Sequence, residues 1–214
     1  CGSWQDIWLN EGFATYLSGL VVEDFDGASD FRSWRQDKIA SITDYPDGSV
    51  YVPAQDTTSV NRIFSSRLSY NKGSMVLHML RKKLGDAVFF QGLKNYLADP
   101  ALSYGYAKTP DLIRNMEVAA GGEDLSEFFN DWIYGEGYPR YTITWNQAGG
   151  QSNINVEISQ TQSHPSVSFF EASVPLRIIG TQGETLDIVL DNTQNNQFFQ
   201  PIVGFTVQSV QFDP

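Results

Sequence analysis

The chain has 214 residues, an apolar fraction of 41% and a formal net charge of −11. That length can bury a substantial core in one or two domains, and the acidic balance argues against nucleic acid or an anionic membrane surface as partner. Its single cysteine, Cys1, rules out an intrachain disulfide; no apolar run reaches membrane-spanning length and no secretion leader is visible, so cytoplasm and export both stay open.

Residues 1 to about 138 read as helical. Asp6 is placed to cap a first helix carrying Ile7, Trp8, Leu9, Phe13, Ala14, Leu17 and Leu20. Ser29 or Asp30 is placed to cap a second, with Phe31, Trp34, Ile39 and Ile42 on its inner side. Tyr45-Pro46-Asp47-Gly48 breaks the periodicity and opens a loop to about Ser59. A third helix is expected over Lys72–Leu84, stopped by Gly85. Another starts at Asp86 and ends before Pro100. Thr109-Pro110 reads as a cap followed by proline at the first helical position. The last helix is expected over Leu125–Tyr134, and Gly135, Gly137 and Pro139 end it. Trp4, Trp8, Phe13 and Trp34 read as core aromatics.

After Pro139 the period changes from 3.6 to 2. Tyr141, Ile143 and Trp145 alternate with threonines, and Ile154, Val156 and Ile158 alternate with Asn155 and Glu157. Further strands are expected at Ala172–Ile179, Thr185–Leu190, Phe198–Ile202 and Thr206–Phe212. Short strands separated by glycine and Asp-Asn turns suggest a small antiparallel sandwich. The expectation is thus an α+β chain with a helical domain over 1–139 and a β-sandwich over 140–214.

The most informative stretch is Trp8-Leu9-Asn10-Glu11-Gly12-Phe13-Ala14-Thr15-Tyr16. It sets a carboxylate in the first turns of an apolar helix, where burial without a partner is costly. A metal ion, a cation or a hydrogen-bond network would satisfy it; a helix dipole favours an acid there in any case. His78 and His164 lie in different halves with no metal-site spacing, and neither is assigned a role.

Four segments in order carry a resemblance: Trp-Leu-Asn-Glu-Gly-Phe-Ala at 8–14; Tyr70-Asn71-Lys72-Gly73 before an apolar helix; Leu84-Gly85-Asp86 with Phe89, Tyr96 and Leu97; and Phe129, Trp132, Gly137, Tyr138 and Pro139. Together they resemble the M1 family of zinc aminopeptidases, of the gluzincin group, over roughly residues 1–140. The resemblance implies the helical C-terminal part of a thermolysin-like catalytic domain, followed by the family's β domain. It implies Glu11 as the third zinc ligand and Tyr70 as the donor that stabilises the developing oxyanion. Asn10 and Thr15, beside Glu11 and one turn on, are candidates to hydrogen-bond around the metal site, with capping or solvation as the alternative. Lys72 is expected to brace its loop.

The family's His-Glu-x-x-His motif and its Gly-x-Met-Glu-Asn element have no counterpart here, so the chain reads as a fragment beginning after the first two zinc ligands. Zn2+ is then expected in the intact enzyme and not on this fragment, which by itself is expected to be inactive. The implied partners are peptides with a free N-terminus, which a negative field suits, and the missing N-terminal segments of the same enzyme. Two rival readings stand beside this one: a non-catalytic M1-like binding or scaffold module, and an epoxide hydrolase of the same superfamily.

Overall fold

A computed structural model describes residues 1–150 and 152–213; Pro214, the last residue of the anticipated second domain, lies outside the described residues, as does Gln151. Two compact units emerge, one of residues 1–138 with 164–167, the other of 139–163 with the remainder from 168.

The first unit is helical. Helix α1 spans Trp8–Phe25, α2 Ala28–Thr43, α3 Val60–Ile63, α4 Gly73–Leu84, α5 Asp86–Ala98, α6 Thr109–Ala119 and α7 Ser126–Phe129. Its core is built from fully buried Trp8, Tyr16, Leu77, Leu80, Phe89, Leu112, Met116, Phe129 and Ile133. Trp4 departs from the expected core: it is 53% exposed and sets its edge on Phe64.

Helix ends differ from expectation in an instructive way. Asp6 does not cap α1. It sits in a 3-10 turn, Trp4–Asp6, that runs directly into α1, and the turn is capped by Ser3, whose Oγ accepts from Gln5 N. Helix α2 starts before Ser29, after Gly27, whose φ of +93° reverses the chain without a side-chain cap. Thr109 is the first residue of α6, not its cap. The expected third helix is preceded by a π-helical turn, Ser66–Lys72, and the last passes from α7 into a second π-helical turn, Asn130–Tyr134. Side-chain periodicity hardly distinguishes these wider turns from α-helix, so they are invisible in the sequence.

The second unit holds six strands: β1 Pro139–Asn146, β2 Asn155–Gln162, β3 Ala172–Gly180, β4 Thr185–Asn192, β5 Gln197–Phe199 and β6 Val207–Phe212. They form two three-stranded antiparallel sheets, ordered β1-β2-β5 and β4-β3-β6. The period-2 pattern places Ile154, Val156 and Ile158 against Val174, Leu176 and Ile178 in one core. Strand β5 is shorter than expected because Pro201, which has no N–H to donate, follows it. The buried Gln160 side chain is satisfied by the backbone of Phe170 and by Asn192. Tyr141 is different: its hydroxyl is buried with no partner among the described residues, and burial pushes its pKa up.

Removing an orphaned buried hydroxyl while keeping the ring should not destabilise the sandwich. Tyr141→Phe is expected to leave stability unchanged or raise it by about 1 kcal/mol; a clear fall in the urea midpoint would show that the hydroxyl has a partner.

Candidate active site

The site begins at the entrance to α1. Asp6 is 2% exposed, and its Oδ1 accepts from Thr109 N at 2.9 Å and from Thr109 Oγ1 at 2.7 Å. Thr109 Oγ1 in turn accepts from Trp8 Nε1 at 3.0 Å. The acid therefore satisfies an orphan amide at the start of α6 and pins the first residue of α1.

Glu11 lies in the first turn of α1, where the helix dipole favours a negative charge. It is half-buried. Thr15 Oγ1 donates to the Glu11 main-chain carbonyl at 2.7 Å, and Asn10 Oδ1 accepts from the backbone nitrogen of Cys1 at 3.0 Å. Thr15 thus holds the main chain at Glu11, whereas Asn10 reaches Cys1.

Tyr70 comes from the π-helical turn 66–72, whose widened hydrogen bonding includes Tyr70 N donating to Ser65 O. Ser65 Oγ caps the turn by accepting from Leu68 N, Ser69 Oγ donates to Ile63 O, and Asn71 Nδ2 donates to Ser41 Oγ on α2. With its neighbours tied on both sides, Tyr70 meets Glu11. Burial first, then a hydrogen bond to the Glu11 carboxylate and its negative charge, push the Tyr70 pKa up. The phenol therefore keeps its proton at neutral pH.

Glycines allow this meeting. A Cβ on Gly12 would lie 3.0 Å from the carbonyl carbon of Gly73 and 3.2 Å from its Cα. A Cβ on Gly73 would lie 3.3 Å from the Gly12 Cα. The two backbones lie in tight contact, one residue after Glu11 on α1 and three after Tyr70 at the start of α4.

The histidines belong elsewhere. His78 is buried, with Nδ1 3.3 Å from the Tyr16 hydroxyl and its ring edge-on to Tyr16 and Phe31. Burial, then the positive charges of Arg35, Lys82 and Arg81, push its pKa down to about 3, while burial pushes Tyr16 up to about 12. His164 Nδ1 accepts from Ser166 N. Among the described residues no three His, Cys, Asp or Glu side chains are grouped so as to hold a metal ion. Hydrolytic zinc takes three protein donors; Glu11 offers one carboxylate, so these residues do not make a complete zinc site.

Sequence reasoning missed three contributors: Asp6 as a cap for a distant helix, the Gly12–Gly73 contact, and the burial of Lys72. The signal for the second was present, since a glycine directly follows both Glu11 and Lys72.

A helical unit followed along the chain by two small antiparallel sheets is a fold shared with an aminopeptidase of known structure. Over 95% of its length the chain superposes on aminopeptidase A of Legionella pneumophila, solved with aspartic acid, with a TM-score of 0.66 at 13% identity, covering 22% of that chain. Residues 1–132 match the Peptidase family M1 domain, and the chain belongs to that family. It is 31% identical over 66% of its length to mitochondrial aminopeptidase 2 of Saccharomyces cerevisiae, covering 15% of that protein. To aminopeptidase N of Lactococcus lactis it is 33% identical over 64% of its length, covering 16%. A leucyl aminopeptidase of Saccharolobus solfataricus matches 92% of the chain at 29% identity, with 25% of that protein covered. The chain thus spans between 15% and 25% of the length of these curated relatives. The α+β class expected from the sequence agrees with this kinship.

A methyl group at the helix contact should be felt directly. Gly12→Ala is expected to destabilise the helical unit by about 1–3 kcal/mol, the range for overpacking, despite the higher helix propensity of alanine. Chemical denaturation checks this; an alanine variant as stable as the parent would mean the two backbones do not touch.

Proposed function

We propose that this chain is the part of a zinc aminopeptidase that supplies one metal donor, Glu11, and the hydrogen-bond donor to the substrate oxyanion, Tyr70. What supports the reading is the proximity of these two groups beside the Gly12–Gly73 contact, close enough that the Glu11 carboxylate helps push the Tyr70 pKa up, in a chain of family M1. Residues 1–139 form part of the peptidase domain and 140–214 the β domain that follows it in the chain. The complete enzyme releases N-terminal residues from peptides, and an acidic protein suits substrates carrying an α-ammonium group.

The chemistry open to these side chains is limited and specific. Zinc held by Glu11 together with two further donors from elsewhere in the complete enzyme would supply Lewis acidity and an activated water. Tyr70, still protonated at neutral pH, donates to the oxygen that gains charge as the scissile carbonyl becomes tetrahedral, an interaction stronger in the transition state than in the ground state. Thr15 steadies the turn that carries Glu11 through its bond to the Glu11 carbonyl. No described helix is long and apolar enough to cross a membrane.

The test uses the complete protein and a chromogenic amino-acid anilide. Tyr70→Phe is expected to lower kcat by about 10²–10³-fold with KM little changed, as for loss of one oxyanion donor. Glu11→Gln is expected to lose both activity and stoichiometric zinc by metal analysis. A Tyr70→Phe enzyme of full activity would refute the assigned role.

A further inference from the structure

A hollow of about 580 Å³ lies at the β1-β2-β5 sheet, lined by Asn146, Asn155, Phe198, Phe199 and Gln200. All five belong to the second unit, so the hollow is independent of Glu11 and Tyr70. Its volume falls within the range of small-ligand sites, about 300–1,000 Å³. Strand alternation builds its floor. Val156 and Ile158 turn into the core and Phe199 packs against it, so their neighbours Asn155, Glu157 and Phe198 stand on the opposite face. Asn146 is the register partner of Asn155, and Phe198 that of Glu157. Phe198 is 70% exposed.

Three amides form a directional row beside that ring. Gln200 Nε2 donates to Asn155 Oδ1 at 2.8 Å, and Asn155 Nδ2 donates to Asn146 Oδ1 at 3.0 Å. These two bonds fix which way each amide points. They leave the Asn146 NH2 group at one end and the Gln200 carbonyl oxygen at the other with no side-chain hydrogen bond among the described residues. A carboxamide carries two donors and an acceptor oxygen with two lone pairs, so the row offers oriented donors and acceptors next to an exposed aromatic face.

Charge and shape narrow the ligand. No lining residue is ionised, and Glu157, opposite Phe198 in register, disfavours an anion. Without a lining carboxylate the hollow lacks the donors a hard cation takes. A wholly apolar molecule would cover the amides and leave them unpaired. A peptide added as a further strand would need the free edge of β5, which has three residues and runs into Pro201. The remaining class is a neutral molecule with a face of C–H groups and a rim of hydroxyls, each both donor and acceptor.

We propose that this hollow binds a neutral saccharide: a pyranose ring lays its C–H face on Phe198 while its adjacent hydroxyls bond to the amide row Asn146–Asn155–Gln200. The β unit thereby has a recognition function separate from the peptidase chemistry.

The test is an NMR titration of the 214-residue chain that follows backbone and side-chain amides. Glucose and cellotriose are the probes; glycerol and trialanine are the controls. The expected result is saturable shifts with cellotriose, with or without glucose, at the Asn146, Asn155 and Gln200 NH2 groups and the Phe198 amide, and none with glycerol. Tighter binding of cellotriose identifies a polymeric source, and equal binding a free sugar; either supports the proposal. Phe198→Ala and Gln200→Ala, both at exposed positions, should each weaken sugar binding by about three- to tenfold. Absence of saturable shifts with either sugar, shifts that glycerol reproduces, saturation by trialanine instead, or an affinity unmoved by Phe198→Ala would each overturn the proposal.

Discussion

Two glycines in van der Waals contact set the geometry on which the site depends. Where Gly12 of α1 meets Gly73 of α4, a methyl group on either would be crowded against the other's backbone, most tightly at Gly12, where its nearest neighbour would be 3.0 Å away. Each glycine reduces the intrinsic stability of its helix by roughly 1 kcal/mol relative to alanine. In return the backbones approach closely enough for two short-range groups, the Glu11 carboxylate and the Tyr70 hydroxyl, to reach each other. The π-helical turn makes the approach productive, because its extra residue per turn rotates Tyr70 relative to the helix that follows.

Polar groups buried around this contact hold it in place. Asp6 joins the entrance of α1 to that of α6 through Thr109 and Trp8. Arg81 joins Glu23 of α1 to Asp86 of α5, with Tyr16 within its reach. The Asp6–Thr109–Trp8 set is buried, so losing a member would strand its partners, whereas Arg81 is buried but its partner Asp86 is largely exposed. Together they hold α1 from both ends, so that rotation of this helix, which would carry Glu11 away from Tyr70, breaks several bonds at once.

Much of this was legible in the chain itself. The switch from helical to alternating periodicity at Pro139 marks the start of β1, and the six expected strands all occur, because one buried face per strand imposes a period of 2. Glu11 and Tyr70 were legible as candidates because neighbouring residues carried a family resemblance, and kinship with M1 peptidases agrees with it. What was hidden has a common cause. Asp6 looked like a local cap, yet its partner is a hundred residues away; Lys72 was expected to brace its loop, but its near-complete burial was not visible; the π-helical turns have the same apolar spacing as α-helix. Local pattern reports which face of an element is covered, not which distant backbone atom a polar side chain will find.

The central claim is that the Gly12–Gly73 contact presents Glu11 to a divalent cation with Tyr70 facing the same space. Zinc-edge anomalous diffraction from crystals of the complete protein tests it most directly. The expected result is a single strong peak bonded to the Glu11 carboxylate, with the Tyr70 hydroxyl turned toward the metal-side cleft. A peak on other residues, with Glu11 engaged by Tyr70 alone, would contradict it.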